Sequence, residues 1–295
     1  MPAAIAQTPT KTPRSSFCAT ALPMLRRLIY CILLLTLAAF VFVLGWLYLR
    51  QESLLFFPVP LPADYRFDLP GVTEEKIAVP GASLSALHFR QPHAKGVIFF
   101  LHGNGGNLQS WLTDTSFYQR TGYDVFMLDF RGYGKSTGKI SSEAQLHADV
   151  LAAWKHVEKE YAGRKNVIYG RSLGTGLATK LAIELGADPA ADGASLLVLV
   201  SPYMSLQAIA KEQYPWVPGF VMRYPMRTDQ WLPAVHIPTL ILHGERDALI
   251  NVSHARRLKE LKPDAQLVVL PDATHNDIHM FPQYIETLEE RLRQL

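Results

Sequence analysis

Short apolar runs alternate with longer amphipathic segments along most of this chain. Seven runs rich in Val, Ile, Leu and Phe have the composition of buried strands: residues 85–90, 97–101, 125–130, 167–169, 196–200, 239–243 and 266–270. Helical patterns lie between most of them, including residues 142–161 and 252–261. Strands that alternate with helices are typical of parallel crossovers. The pattern therefore predicts the α/β class, with a mainly parallel sheet and helices on both faces.

A continuous apolar stretch precedes this pattern. Residues 28–49 form a run of 22 residues without a charge, enough to cross the hydrocarbon core of a membrane. Trp46 and Tyr48 near its end match an interfacial aromatic belt. A signal peptide cleaved near Ala39 is the alternative, but the apolar run continues past that point, which favours an uncleaved signal anchor. Residues 1–27, mostly rich in Ala, Thr, Pro and Ser, are predicted to be a disordered tail.

The charge distribution bears on topology and on partners. Lys11, Arg14, Arg26 and Arg27 are the only charged side chains before Arg50. Positive charge before the span predicts a cytoplasmic N-terminus and a periplasmic or otherwise extracytoplasmic domain. Of the 29 basic and 26 acidic groups in the chain, 25 basic groups lie beyond those four. A near-neutral domain without a basic stripe argues against nucleic-acid binding.

The sequence Gly-Arg-Ser-Leu-Gly at residues 170–174 carries the first candidate chemistry. It follows the strand pattern 167–169 and opens an Ala/Leu-rich helical segment, which is the context of a nucleophile elbow. Glycines on both sides let the serine occupy a very tight turn, and the following helix directs N–H groups toward developing negative charge. Ser172 is therefore the candidate nucleophile.

Loops after two later strands supply a carboxylate and a base. Asp247 follows strand 239–243, and His275 follows strand 266–270. Both lie beyond the carboxyl ends of strands, where open parallel sheets bind ligands. The chain order Ser, Asp, His is also the one found with a nucleophile elbow. The predicted catalytic residues are Ser172, Asp247 and His275.

Three neighbouring residues compete for these roles. Glu245 and Asp272 are interpreted as solvated loop charges or turn formers. His279 lies in the first turn of the predicted last helix, which begins at residue 278, and is expected to face solvent.

The glycine-rich stretch that follows strand 97–101 predicts an oxyanion hole. Residues 102–107 read His-Gly-Asn-Gly-Gly-Asn and precede a predicted helix over residues 108–119. Glycines allow backbone amides to approach a substrate oxyanion closely. The donors are assigned to the amides of Asn104 and of Leu173, the residue after the nucleophile. His102 is expected to hold the loop by a side-chain hydrogen bond.

Other motifs and cofactors find little support. Gly134-Lys135-Ser136 resembles the end of a P-loop, but the required leading glycine is replaced by Asp129. No Gly-x-Gly-x-x-Gly follows a strand, so no nucleotide cofactor is predicted. A metal cluster of His275, Asp277 and His279 is disfavoured because His275 is already assigned. Cys18 and Cys31 both precede the catalytic region, which excludes a thiol nucleophile and a disulfide there.

Five blocks together resemble the signature of the alpha/beta-hydrolases: residues 102–107, 128–136 (LDFRGYGKS), 170–174, 243–247 (HGERD) and 275–277 (HND). The chain is similar to the membrane-anchored serine hydrolases among the alpha/beta-hydrolase-domain lipases and protein depalmitoylases. The resemblance runs from about Leu54 to the C-terminus. It implies an eight-stranded, mainly parallel sheet in a domain of residues 50–295, with Ser172, Asp247 and His275 catalytic.

The stretch of residues 202–233 interrupts the strand and helix alternation and predicts a small cap over the serine. It is rich in aromatic residues and methionine and contains five prolines, which suggests an apolar acyl pocket that faces the membrane. Tyr214, Trp216 and Phe220 are expected to contact the bilayer, with Arg223 and Arg227 reaching toward head groups.

The sequence therefore predicts a membrane-tethered serine ester hydrolase without a cofactor or metal. Its substrate is expected to be an acyl ester or thioester, such as a monoacylglycerol or a lysophospholipid. A peptidase of the same fold and a non-catalytic, membrane-bound interaction module are the alternatives.

Overall fold

The computed structural model describes residues 17–112, 114–187 and 193–295, with side chains from residue 23 onward. The chain divides into two compact units, Met1–Leu49 and Arg50–Leu295. The described part of the first unit is a single helix, α1 (Phe17–Leu49).

Helix α1 is apolar over most of its length. The 27 residues of Pro23–Leu49 have a mean hydropathy of 2.8 in their most apolar window and are long enough to cross a membrane. The predicted disordered tail, residues 1–27, needs a correction, because its residues 17–27 are helical; its residues 1–16 lie outside the described part. Ala, Leu, Met and Arg favour helix, which explains the extension toward the N-terminus.

The second unit is built on one eight-stranded sheet. Its strands are β1 (Val72–Val79), β2 (Ala82–Phe89), β3 (Val97–Leu101), β4 (Asp124–Leu128), β5 (Val167–Arg171), β6 (Leu196–Val200), β7 (Thr239–Gly244) and β8 (Gln266–Leu270). The strand order is β1-β2-β4-β3-β5-β6-β7-β8. Strand β2 pairs antiparallel with β1 and β4, and all the other pairs are parallel. The predicted fold class is confirmed.

The helices of the second unit are α2 (Gln51–Leu55), α3 (Leu108–Trp111), α4 (Ser116–Thr121), α5 (Glu143–Val157), α6 (Leu173–Ala187), α7 (Leu206–Gln213), α8 (Thr228–Trp231), α9 (Ser253–Leu261) and α10 (Pro282–Arg293). Short 3-10 turns cover Glu158–Tyr161, Gly219–Val221, Leu232–Ala234 and Ile278–Met280.

Strand β1 is the element that the apolar pattern did not reveal. Its middle carries Glu74, Glu75 and Lys76, so it lacks a continuous apolar run. It is an edge strand, and only Ile77 and Val79 are buried. This segment is a strand because it pairs with β2 over the full length of both strands, and not because one of its faces is buried.

The predicted helix over residues 108–119 is two short helices. The Asp114 carboxylate accepts a hydrogen bond from the Ser116 amide at 2.9 Å, and this side chain starts α4 as a separate helix. A short polar side chain that binds the backbone in this way favours a new N-terminus over a continuous helix.

Alternate residues of the central strands point to two apolar layers. Phe99 and Leu101 of β3 belong to the layer shared with α5, α6 and α9, while Ile98 and Phe100 belong to the layer shared with α3 and α10. Because both faces of the sheet are covered, the central strands are buried from end to end.

Loops that follow the carboxyl ends of β3, β5, β7 and β8 lie at the same edge of the sheet. The stretch that follows β6, predicted as the cap, also starts at this edge and contains α7 and α8. Parallel strands bring these five connections together, and this edge is therefore where a site is expected.

Candidate active site

Ser172 lies at the tip of the turn that joins β5 to α6. Its φ angle is +50°, in the left-handed region that side chains rarely adopt. A Cβ on Gly170 would lie 2.5 Å from the carbonyl oxygen of Gly174, and a Cβ on Gly174 would lie 2.0 Å from that of Leu101. Glycine is needed at both positions because α6 passes so close to the strands. The elbow expected from the sequence is the local structure.

The structure brings Ser172, His275 and Asp247 into one hydrogen-bonded chain. The Oγ of Ser172 is 3.0 Å from Nε2 of His275. The Nδ1 of His275 is 2.7 Å from Oδ2 of Asp247. With Nδ1–H donated to the carboxylate, Nε2 is left to accept the serine proton, which is the geometry of a nucleophile and its general base.

The Asp247 carboxylate is buried and held from several directions. Its Oδ1 accepts the amides of Leu249 at 2.9 Å and Ile250 at 2.8 Å. Nε2 of His243 lies 3.3 Å from Oδ2 and also donates to the Ile250 carbonyl at 2.8 Å. Burial acts to raise the pKa of Asp247, but the hydrogen bonds from His243, His275 and the Ile250 amide outweigh it and hold that pKa well below its usual range. Asp247 is therefore ionised and fixed.

Of these partners, His243 had no role predicted from the sequence. It stands in the block of residues 243–247, four residues before the carboxylate, and is fully buried at the end of β7. That spacing was the only available signal, because its contact with Asp247 depends on the turn that follows β7.

Glu245, Asp272 and His279, which competed for the catalytic roles in the sequence, do not join this hydrogen-bonded chain. Glu245 pairs with Arg256 at 2.6 Å, and Asp272 pairs with Arg246 at 2.7 Å, both on the surface. The side chain of His279 is exposed and near Arg171.

The candidate oxyanion donors flank the serine. Asn104 and Leu173 line the same pocket as Ser172. Leu173 is the first residue of α6, so its amide has no acceptor within the helix. The side chain of Asn104 fixes its own loop, since Oδ1 accepts the Gly105 amide at 3.0 Å and the Tyr133 hydroxyl at 2.8 Å.

His102 has the structural position expected of it. It is fully buried, and its Nδ1 donates to the Gly103 carbonyl at 2.7 Å. The neighbouring Asp129 carboxylate accepts the Leu108 amide at 3.1 Å, which ties the loop to the start of α3.

Arg171 connects the loops around the nucleophile and was not singled out by the sequence. Its Nη2 donates to the carbonyls of His275 at 3.2 Å and Asn276 at 3.1 Å. Its guanidinium also lies 5.3 Å from the ring centre of Trp111, whose Nε1 donates to the Gly105 carbonyl at 3.1 Å. One side chain therefore spans the histidine loop and the oxyanion loop.

A pocket of about 190 Å³ opens at Ser172. Its lining is mostly apolar and consists of Leu54, Leu55, Phe57, Asn104, Ser172, Leu173, Tyr203, Leu206, Ile209, Gln213, Leu249 and Ile250. None of these lining residues of the described chain carries a charge, so the pocket suits an uncharged apolar group.

The cap residues divide into buried and exposed sets. Tyr203, Tyr224 and Met226 are fully buried, and the Tyr203 hydroxyl donates to the Leu173 carbonyl at 3.0 Å. The exposed set consists of Tyr214, Trp216 and Phe220.

The two cap arginines differ from the expectation that they reach toward lipid head groups. Nη1 of Arg223 is 2.6 Å from Glu52, and Nη2 of Arg227 is 2.7 Å from Asp229. Acidic groups therefore hold both side chains at the protein: Glu52 is remote from Arg223 in sequence, whereas Asp229 lies two residues after Arg227.

Within the described ranges, no group of three or more His, Cys, Asp or Glu side chains is arranged to hold a metal ion.

Comparison with known proteins places the chain in a family. A family described as serine aminopeptidase, S33 (Hydrolase_4) matches residues 92–228, a range that contains Ser172 and ends before Asp247. Alpha/beta hydrolase domain-containing protein 17B of Xenopus tropicalis is 31% identical over 210 residues, which cover 69% of this chain and 68% of that protein. The human protein 17B is 30% identical with the same coverage. The chain belongs to the alpha/beta-hydrolase family.

A third relative is matched over little more than half of its own length. The alpha/beta hydrolase domain-containing protein aho-3 of Caenorhabditis elegans is 32% identical over 213 residues, covering 67% of this chain. The matched region spans 57% of the length of aho-3.

Solved structures agree on the fold of the hydrolase. An esterase from Pyrococcus furiosus has a TM-score of 0.63 at 20% identity, covering 81% of this chain and 97% of the esterase. Alpha/beta hydrolase domain-containing protein 10 from mouse has a TM-score of 0.56 at 16% identity, covering 75% of this chain and 97% of that one. These likenesses show the alpha/beta-hydrolase fold. The comparisons agree with the predicted enzyme class, an ester hydrolase, and the chain is a hydrolase.

Proposed function

We propose that this hydrolase is a membrane-anchored serine esterase that cleaves acyl esters or thioesters of single-chain lipids. The observation that carries the proposal is the hydrogen-bonded chain from Ser172 through His275 to Asp247 at the opening of an apolar pocket. A nucleophile, a base and a fixed carboxylate beside an apolar cavity are the parts that acyl transfer needs.

The proposed mechanism follows from the hydrogen bonds. Nε2 of His275 takes the hydroxyl proton of Ser172 as Oγ attacks the acyl carbonyl, and Asp247 stabilises the imidazolium. The amides of Asn104 and Leu173 bind the oxyanion. The imidazolium then protonates the departing oxygen or sulfur, which leaves an acyl-enzyme. Water attacks the acyl group and loses a proton to His275. The imidazolium returns this proton to Oγ of Ser172 as the bond between Oγ and the acyl group breaks, which releases the carboxylic acid and restores the enzyme.

The substrate class rests on the walls of the pocket. The lining side chains from α2, α7 and the loop after β7 are apolar, including Leu55, Ile209 and Ile250, except for the uncharged Gln213 at the end of α7. Such walls favour an acyl chain, and the absence of charge among these described residues leaves the head group outside the pocket. Monoacylglycerol and lysophospholipid are the proposed candidates.

A peptidase is the second candidate, because the matching family is described as serine aminopeptidase. An aminopeptidase must bind a free ammonium group, for which a carboxylate next to the nucleophile is the expected partner. No carboxylate lines the Ser172 pocket in the described chain. We therefore prefer an ester substrate over a peptide.

The membrane part of the proposal rests on α1 and on the charges before it. A cleaved signal sequence would have a similar apolar segment. The length of the helix favours an anchor, and the four basic residues before residue 28 favour a cytoplasmic N-terminus with the catalytic unit on the opposite side.

A fluorophosphonate probe tests the catalytic proposal. We expect the wild-type chain to be labelled and to hydrolyse a series of acyl esters, and Ser172→Ala to lose both properties while it keeps the wild-type melting temperature. Thr179→Ala removes a buried hydroxyl of the same helix that bonds the Thr175 carbonyl and does not contact Ser172, and it is the control that keeps its labelling. Wild-type activity in pure Ser172→Ala would identify another nucleophile, and an unlabelled, inactive wild type would favour the non-catalytic alternative.

A further inference from the structure

The segment of residues 50–59 forms one wall of the candidate active site. Leu54 and Leu55 at the end of α2, and Phe57 just after it, line the pocket that contains Ser172. This segment begins directly after α1 ends at Leu49. The part of the catalytic unit nearest in sequence to the proposed membrane span is therefore also part of the pocket.

Two side chains of α2 fasten this segment to the cap. Gln51 is buried, and its amide donates to the Val221 carbonyl at 2.9 Å and accepts the Arg223 amide at 2.6 Å. Glu52 pairs with Arg223 at 2.6 Å and accepts the Tyr224 hydroxyl at 2.7 Å. These contacts fix α2 at the edge of the cap.

The other end of the segment is held by the oxyanion loop. Nδ2 of Asn104 donates to the Leu55 carbonyl at 2.5 Å, and Oδ1 of Asn104 accepts the Phe57 amide at 3.1 Å. The Val59 amide donates to the Gly106 carbonyl at 3.2 Å. Residues 50–59 are therefore a fixed bridge between the cap and the loop beside the nucleophile.

The mouth of the pocket is apolar and exposed. Leu54, Phe57 and Leu249 all line the pocket, yet 42%, 57% and 57% of their surfaces remain accessible. We call these three residues the entry rim. Large apolar side chains exposed together at the opening of a pocket indicate a surface that binds something apolar.

Chain connectivity limits how far the entry rim can lie from the end of α1. Leu54 lies five positions after Leu49, and a fully extended chain over five positions spans at most about 18 Å. This distance is shorter than the thickness of the hydrocarbon core, which is about 30 Å. If α1 crosses a membrane, Leu54 must lie near the membrane surface.

We infer that the entry rim contacts the bilayer and that residues 50–59 guide an acyl chain from the membrane to Ser172. The inference rests on the proposed function, because it requires both the anchor and the acyl substrate. The occupant is the lipid surface, since the rim is covalently tied to the proposed span and carries no charge. The chain enters along Leu54, Leu55 and Phe57, and the ester carbonyl then reaches the nucleophile.

The test compares two substrates with the full chain in phosphatidylcholine vesicles. One substrate is monooleoylglycerol in the bilayer, and the other is a short butyrate ester in the water. Leu54→Ser and Phe57→Ser are each expected to lower kcat/KM about tenfold for the lipid and by a smaller factor for the soluble ester, because the short acyl group makes fewer apolar contacts with these side chains. Leu261→Ser is the matched control, since Leu261 is 41% exposed and lies outside the pocket. Equal losses on both substrates, or the same loss in Leu261→Ser, would overturn the inference.

A measurement of membrane contact separates this inference from the proposed function. An environment-sensitive nitrobenzoxadiazole label is attached to Phe57→Cys or Leu261→Cys in a chain with Cys18→Ser and Cys31→Ser. Quenching by a spin-labelled lipid at position 57 and not at position 261 supports the inference. An unquenched label at position 57 overturns it, as expected if a protein partner or a second copy covers the rim. A quenched label in a chain that hydrolyses no ester would refute the proposed function instead.

Discussion

At the scale of single residues, the proposed chemistry depends on which nitrogen of His275 carries the proton. The ionised Asp247 carboxylate accepts Nδ1–H at 2.7 Å and so leaves Nε2 facing the serine. The amides of Leu249 and Ile250 prevent the carboxylate from turning away. An orienting group of this kind acts through the tautomer and not by taking the proton.

Asp247→Asn is expected to lower kcat by up to roughly 10⁴-fold, because an amide can stabilise the wrong tautomer of His275. Glu245→Gln is expected to change kcat by less than about twofold, since Glu245 forms an exposed pair with Arg256. Ester hydrolysis by both purified variants measures the difference. The reverse order of the two effects would contradict the assignment of the carboxylate.

Arg171 is proposed to act as a positioning residue that holds the loop of the catalytic base, His275. Arg171→Gln is expected to lower kcat about 10- to 100-fold with little change in KM, because the histidine loop loses two hydrogen bonds and a small displacement of a catalytic base is costly. Arg171→Lys should recover part of the loss. The control is Arg120→Gln, whose exposed side chain pairs with Glu289.

Steady-state kinetics and a melting curve distinguish positioning from general stability. A lower melting temperature with an unchanged kcat per folded molecule in Arg171→Gln would show that Arg171 is only structural.

At the scale of elements, the close packing of α6 against the sheet determines where the serine lies. Gly170 of β5 and Gly174 and Gly176 of α6 face neighbouring atoms that leave no room for a Cβ, whereas Gly186 near the end of α6 has open space around it. The first turns of α6 therefore require glycine for packing, and the last turn does not. The amide of Leu173 and the hydroxyl of Ser172 owe their positions to this contact.

Gly174→Ala is expected to lower the free energy of unfolding by about 2 to 4 kcal/mol, since the added methyl group would overlap the Leu101 carbonyl. Gly186→Ala is expected to raise it by up to about 1 kcal/mol, because alanine favours helix and meets no neighbour. Urea unfolding of both variants measures the two effects. Equal stabilities would show that α6 can move away from the sheet at little cost.

At the scale of the whole molecule, the order of segments along the chain links an apolar helix to a hydrolase. Helix α1 ends at Leu49, and the wall of the pocket begins five residues later. If α1 spans a membrane as proposed, its orientation decides which lipids and proteins the pocket can meet.

Protease added outside intact cells or spheroplasts is expected to digest the unit beyond Arg50 and to leave the N-terminal residues protected, because basic residues precede α1. Immunoblots against tags at the two ends measure the protection. A protected catalytic unit would place the pocket in the cytoplasm, where acylated proteins become candidate substrates. Digestion of both ends in lysed cells is the control for protease activity.

The sequence by itself determined the parts of this protein that depend on local pattern. Continuous apolar runs predicted the buried strands β3 to β7, because a strand covered on both faces excludes polar residues, and they also predicted the edge strand β8. Gly-x-Ser-x-Gly predicted the elbow, because the turn at Ser172 requires glycine at fixed spacing. The apolar length of residues 28–49 predicted a helix that can cross a membrane.

Only the tertiary structure decided the features that depend on contacts between distant segments. Strand β1 forms by pairing with β2 although it carries charges, and Arg223 is held by Glu52, 171 positions earlier in the chain. The loop contacts of Arg171 and the place of residues 50–59 beside Ser172 likewise join segments that are remote in sequence. Residue pattern records the burial and backbone conformation that each position needs, whereas the partner of a polar side chain depends on how the whole chain packs.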